Sequence, residues 1–176
     1  MSFAALRPST QRLYLEPVTV NDHAFVQELV NTAGWLRFIG DRNVHSEEDA
    51  VAYIQKIQSM PNLVYWVARR KEDQQPAGII SFIKRDYLED YDLGFAFLPR
   101  YHGQGYAKEA ALGVMEALKT FPELQRLLAT TLPENEPSVF LLQKLGFSFV
   151  KQFEEGGSLL NLYECRLQNA QASSSQ

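Results

Sequence analysis

An α/β (α+β) fold, with a mainly antiparallel mixed sheet of six to seven strands flanked by helices, is predicted from three observations. Short runs of alternating apolar and polar residues recur through the middle and the end of the chain, the pattern of half-buried strands. Four longer runs carry apolar residues at helical spacing. A strand, turn, helix and strand follow one another from Asp92 to Leu132, which supplies one local parallel pair in an otherwise antiparallel order. With 176 residues the chain can bury one sizeable core, and its expected organisation is an N-terminal arm at 1–10, a single domain at 11–167 and a polar tail at 168–176, expected to be disordered.

The elements follow in order. Arg12 to Val18 alternates and reads as a first strand. Val20 to Val30 places Ala24, Phe25, Leu29 and Val30 on one helical side, with Thr19 or Asn21 as its cap. Gly34 to His45 is irregular, with room for one short helical turn. Ser46-Glu47-Glu48-Asp49 is a variant of the capping box and opens a helix with Ala50, Val51, Ile54 and Ile57 on one side, ending near Met60-Pro61. Leu63 to Arg69, Ala77 to Ile83 and Asp92 to Leu98 form a meander, separated by polar turns and closed by Pro99. Tyr106 to Lys119 is a helix with Ala111, Val114, Met115 and Leu118 as its stripe, and Leu127 to Leu132 is a strand. A helix from Pro137 to Leu145 stops at Gly146, a residue suited to the left-handed position after a helix. Phe149 to Phe153 and Leu159 to Leu167 pair around Gly156-Gly157.

Composition excludes several functions. Charged residues make up 22% and the net charge is -4, which disfavours a nucleic-acid partner and slightly favours a cationic or amine substrate. One cysteine, Cys165, precludes an internal disulfide and a cysteine-based zinc site, and His23, His45 and His102 show no metal-ligand spacing. Cys165 sits in an alternating run and reads as a packed thiol. No apolar run approaches the roughly 20 residues of a membrane span, and no signal peptide is read, so a cytoplasmic location is expected.

The densest chemistry lies from Phe95 to Ala107, where a strand ends, Gly103 and Gly105 follow, and a helix begins. A helix start offers unpaired N–H groups and partial positive charge to phosphate oxygens, and glycine lets the main chain approach them. By itself the pattern also fits an ordinary tight turn. A dinucleotide fingerprint would need a third glycine or alanine where Lys108 stands, and a Walker loop would need Gly-Lys-Ser/Thr.

Four ordered pieces now combine: Gln11 to Pro17, Asp92 to Ala107, Pro133-Glu134-Asn135-Glu136-Pro137-Ser138, and Leu142-Gln143-Lys144-Leu145-Gly146-Phe147. Through them the chain resembles the GNAT N-acetyltransferases, in the branch of the ribosomal-protein alanine N-acetyltransferases (RimJ/RimL-like), over about Thr10 to Leu167. The family motif Gln/Arg-x-x-Gly-x-Gly/Ala maps onto His102-Gly103-Gln104-Gly105-Tyr106-Ala107, with His102 in place of Gln or Arg. A second frame, Arg100-x-x-Gly103-x-Gly105, also satisfies it, and the first keeps the family's distance from the strand.

The resemblance implies acetyl-CoA as donor, no metal, and direct transfer to a primary amine, on a peptide N-terminus or a small molecule. It implies that strand 92–98 splays from its neighbour at a bulge, that Phe95 and Phe97 bond the pantetheine arm through their main chain, and that Asn135 and Ser138 stand beside the arm and thiol. Asn135 also suits the cap of the helix that Pro137 starts. Asp92 is the candidate base, its other reading being a solvated turn acid in the cluster Asp86, Glu89, Asp90 and Asp92, which would attract a cationic acceptor. The tyrosine many relatives use as acid is replaced by Leu142, leaving Ser138 and, more remotely, Tyr163. The acceptor wall is expected from Gly34 to His45 and Lys84 to Tyr91, although Trp35 and Phe38 also suit a core. The competing readings are a non-catalytic acyl-CoA-binding module and a nucleotide-binding protein.

Overall fold

Seven strands form one sheet in the order β1-β2-β3-β4-β5-β7-β6, in a computed structural model that describes residues 2–167. The expected tail at 168–176 lies outside the described residues. The strands are β1 (Leu13–Pro17), β2 (Leu63–Arg70), β3 (Pro76–Lys84), β4 (Tyr91–Phe97), β5 (Arg126–Thr131), β6 (Ser148–Glu155) and β7 (Ser158–Arg166). The helices are α1 (His23–Val30), α2 (Ala33–Phe38), α3 (Glu47–Ser59), α4 (Tyr106–Leu118) and α5 (Glu136–Lys144). Every neighbouring pair is antiparallel except β4 and β5, the parallel pair the sequence leads one to expect.

Alternation along β2 assigns the two faces. Val64, Trp66 and Ala68 join one core with Ala110, Ala111, Val114, Met115 and Leu118 of α4 and Leu142 of α5. Val67 points the other way, into a second core with Phe25 and Leu29 of α1 and Ala50, Ile54 and Ile57 of α3. Helices therefore cover both faces, and burial of these side chains is the main force holding them there.

Local chemistry sets the helix boundaries, with small departures from the sequence reading. Thr19 and Asp22 form a capping box over a 3-10 turn, Val20–Asp22, so the first helical run is a 3-10 turn followed by α1. The irregular stretch contains α2, capped by the Thr32 hydroxyl on the Trp35 N–H. At α3, Ser46 Oγ accepts from the Asp49 N–H at 3.1 Å, but Asp49 reaches back to the His45 N–H rather than to Ser46. Hydrogen bonds from the His45 N–H and then the Ser46 hydroxyl hold the Asp49 carboxyl below the usual aspartate range.

The N-terminal arm is anchored. Phe3 packs edge-on against Phe82 and Tyr91 and lies 4.5 Å from the Phe121 ring, while the Trp66 indole N–H donates to the Leu6 carbonyl at 3.1 Å. Cys165, on β7, is partly covered, and burial raises its thiol pKa, as suits a packed thiol.

Candidate functional site

Strands β4 and β5 share a single bridge, Asp92 to Leu128, and part beyond it. The register of β4 on β3 is continuous from Lys84–Tyr91 to Gly78–Phe97, so the splay occurs without the bulge expected in β4. The Leu98 N–H donates to the Ala77 carbonyl, and main-chain groups alternate along a strand. The N–H and C=O of Phe95 and Phe97 therefore face the gap. A cavity of about 720 Å³ occupies it, lined by Asp92, Phe95, Phe97, His102, Gly103, Gly105, Tyr106, Ala107, Asn135 and Ser138 among others.

At one end of this cavity the glycine turn leads into α4. Gly103 and Gly105 hold φ of +74° and +80°, conformations that side-chain-bearing residues rarely adopt, and Gly105 is the N-cap of α4. The N–H groups of the first helical turn, from Tyr106 to Lys108, have no intrahelical acceptor and face a cavity whose cationic lining includes Lys108. An ideal Cβ on Gly103 would meet nothing within 4 Å, so the space before it is open to a ligand. These features fit an anionic phosphate group.

The turn is braced from a distant part of the chain. Arg12 donates from Nη1 to the Gln104 carbonyl at 2.9 Å and from Nε to Glu109 Oε1 at 2.8 Å, and its guanidinium lies 4.3 Å from the Tyr106 ring centre. Glu109 Oε2 also accepts from Thr10 Oγ1 at 2.6 Å and from the Arg12 N–H at 2.9 Å. Partial burial alone would raise the Glu109 pKa; the Thr10 and Arg12 donors outweigh it and leave the carboxyl below the usual range. Sequence reasoning missed this brace, since more than ninety positions separate its two sides and neither has a local signature.

Two expected contacts are modified. The Gln104 side chain donates to the Arg100 carbonyl and does not line the cavity. One ring nitrogen of the exposed His102 stands 2.8 Å from the Phe97 carbonyl, so its Nε2–H tautomer ties the turn to β4.

At the bridge, Asp92 is 4% exposed, which removes the solvated-acid reading. Its Oδ2 accepts from Arg85 Nε at 2.6 Å and lies 3.4 Å from Thr130 Oγ1. Burial pushes the Asp92 carboxyl up, more than Arg85 and Thr130 pull it down. Burial works against the Arg85 charge, but Asp92 more than restores it. The acids beside Asp92 are occupied elsewhere, Asp90 and Glu89 accepting from Arg126 at 2.7 and 2.9 Å.

Across the gap, Asn135 Oδ1 caps α5 by accepting from the Ser138 N–H at 3.4 Å, and its NH₂ donors remain available to the cavity. Asn135 thus caps and lines at once. Leu142 is buried in the wall, and Tyr163, packed against Phe149, does not line the cavity. Trp35, Phe38, Ile39, Arg42, Tyr65 and Arg85 are among the residues of the remaining wall, with Trp35 also part of the second core.

Residues 12–148 match the family model described as an acetyltransferase (GNAT) domain. The chain is 33% identical over 138 residues to YnaD, an uncharacterised N-acetyltransferase of Bacillus subtilis, covering 78% of this chain and 80% of that one. It is 25% identical over 146 residues to the spermidine N(1)-acetyltransferase of Escherichia coli, covering 80% and 75% respectively. Its fold superposes with a TM-score of 0.79 on RimL, a ribosomal alpha-N-protein acetyltransferase solved with coenzyme A, at 16% identity and covering 91% and 97%.

Proposed function

The chain belongs to the GNAT family and is an acetyl-CoA-dependent N-acetyltransferase, and on that premise we propose that the β4–β5 gap holds the donor and that Asp92 deprotonates the acceptor amine. Family membership sets aside the non-catalytic module and the nucleotide-binding protein. Among the described residues no helix is long and apolar enough to cross a membrane, and no group of three or more potential metal ligands occurs.

The single observation that carries the proposal is the parting of β4 from β5 between the glycine turn and Asp92. Main-chain groups of Phe95 and Phe97 serve the pantetheine arm as an added strand would, while Gly103 to Ala107 hold the pyrophosphate. His102 fixes the turn to β4 and Asn135 offers its amide to the arm. Gln104 contributes through its main chain alone, since its side chain is turned away.

The reaction is direct. The amine nitrogen bonds to the thioester carbon, the C–S bond breaks, and the nitrogen's proton passes to Asp92, directly or through one water. A main-chain N–H of the Phe95–Phe97 segment stabilises the developing oxyanion. Ser138 donates toward the departing sulfur, a light task because a thiol pKa of about 8.5 makes the thiolate a tolerable leaving group. The acceptor is a primary amine on a peptide N-terminus or a small molecule; the relatives' names supply both kinds, a ribosomal protein and spermidine. A thiol-release assay with acetyl-CoA and a mixed amine panel tests this, and tight donor binding without turnover on any amine would refute it.

A further inference from the structure

Beyond the glycine turn, the cavity wall carries several hydrogen-bond donors among apolar residues. Trp35 is 4% exposed and its indole N–H is buried with no hydrogen-bond partner, although the residue lines the cavity. Arg42 stands over that indole, its guanidinium carbon 5.9 Å from the ring centre, and among the described residues no carboxylate comes within 4 Å of it. The Tyr65 hydroxyl lies 3.2 Å from that of Tyr53. Burial and then Tyr53 push its pKa far up, so the hydroxyl stays protonated, and Tyr65 lines the same cavity as Arg42 and Arg85. Among the described residues the sole acid lining the cavity, Asp92, is already paired with Arg85.

This arrangement reverses the expectation of a cation-seeking site. A buried N–H without an acceptor, beside an exposed arginine on the same wall that no acid neutralises, favours an anion there, and a second ammonium group on the acceptor would instead meet Arg42 as a like charge. We propose that Trp35, Arg42 and Tyr65 bind a carboxylate carried by the acceptor itself. The substrate class is then an amine with a nearby acid group, and polyamines are excluded. The assignment rests on N-acetyl transfer at this site and narrows its acceptor. Two sources carry the same chemistry, a free amino acid with its α-carboxylate and a peptide whose N-terminal amine precedes an acidic side chain.

The test compares matched acceptors at saturating acetyl-CoA by thiol release: alanine against alaninamide, the peptide amide Ser-Asp-Ala against Ser-Asn-Ala, and spermidine. The expected result is a kcat/KM about tenfold or more higher for the acid-bearing member of at least one pair. Preference in the first pair alone identifies a free amino acid, and preference in the second alone an acidic N-terminus. Arg42→Gln should raise KM for that substrate about tenfold and shrink the preference, with partial recovery in Arg42→Lys and an unaltered acetyl-CoA Kd by calorimetry. Equal rates within both pairs, or spermidine as the best acceptor, overturn the inference while leaving N-acetyl transfer intact. Donor binding without turnover on any acceptor overturns both, and the calorimetry distinguishes that outcome.

Discussion

A carboxylate that must accept a proton gains from burial and loses from a neighbouring guanidinium, and Asp92 carries both influences. Burial dominates, so its carboxyl titrates above the ordinary aspartate range. A base works only when deprotonated, so kcat/KM should fall as pH drops through that raised value. The Asp92 component of the acid limb should be absent in Asp92→Asn, leaving only the acceptor amine's own ionisation, and kcat/KM at neutral pH should be lower by about 10²–10⁴. A pH–rate profile with an unchanged limb in the variant would move the role to another group. Ser138→Ala should cost far less, since thiolate departure needs little help. Single-turnover rates would show whether Ser138 acts on the chemical step.

At the scale of elements, the turn before α4 depends on residues far away in the chain. Gly105→Glu places a carboxylate in the anion site and a side chain at a φ of +80°, 3.4 Å from Arg12 at its Cβ. Acetyl-CoA binding should be lost, with about 1 kcal/mol of backbone strain, whereas Gly105→Ala keeps the strain without the charge. Calorimetry and denaturation on both variants separate the two effects. Glu109→Gln should cost roughly 1–2 kcal/mol at neutral pH. Because the folded Glu109 pKa is lowered, its contribution is complete above the ordinary glutamate value and disappears as pH falls through the folded value. The wild type should therefore lose stability in acid faster than the glutamine variant, as urea titrations at several pH values would reveal.

What the chain made legible follows from the range of the interactions. Alternation exposed β2 to β4, helical spacing exposed α4, and Gly103 and Gly105 marked their turn, because each signal sits within a few residues. The order of the pieces placed Asp92, Asn135 and Ser138 on one cavity. Arg85 and Thr130 as partners of Asp92, the Arg12 brace, and the donor set around Trp35 were not legible, because only the folded chain brings them together. Asp92 itself stands in a run of acids that looks exposed in sequence, and only the folded sheet, with β3 on one side and β5 on the other, buries it.

At the scale of the whole molecule, residues before β1 contribute to the core. Phe3 touches rings from β3, β4 and the segment after α4, so Phe3→Ala should lower stability by about 1–2 kcal/mol with little change in acetyl-CoA Kd. Thermal melts with and without donor check both halves of that statement. The deeper consequence lies in the lone bridge between Asp92 and Leu128. Four strands on one side and three on the other form two plates joined at one rung, and in the proposed binding mode the donor fills the place of the missing strand. At about a hundred times its Kd, acetyl-CoA should add about 2.7 kcal/mol to stability and raise Tm by roughly 5–10 °C. Amides of Phe95 and Phe97 should slow their hydrogen exchange in step with it. In a cell, resistance of this sheet to local opening would then rise and fall with the supply of acetyl-CoA, making the enzyme's persistence a readout of carbon metabolism.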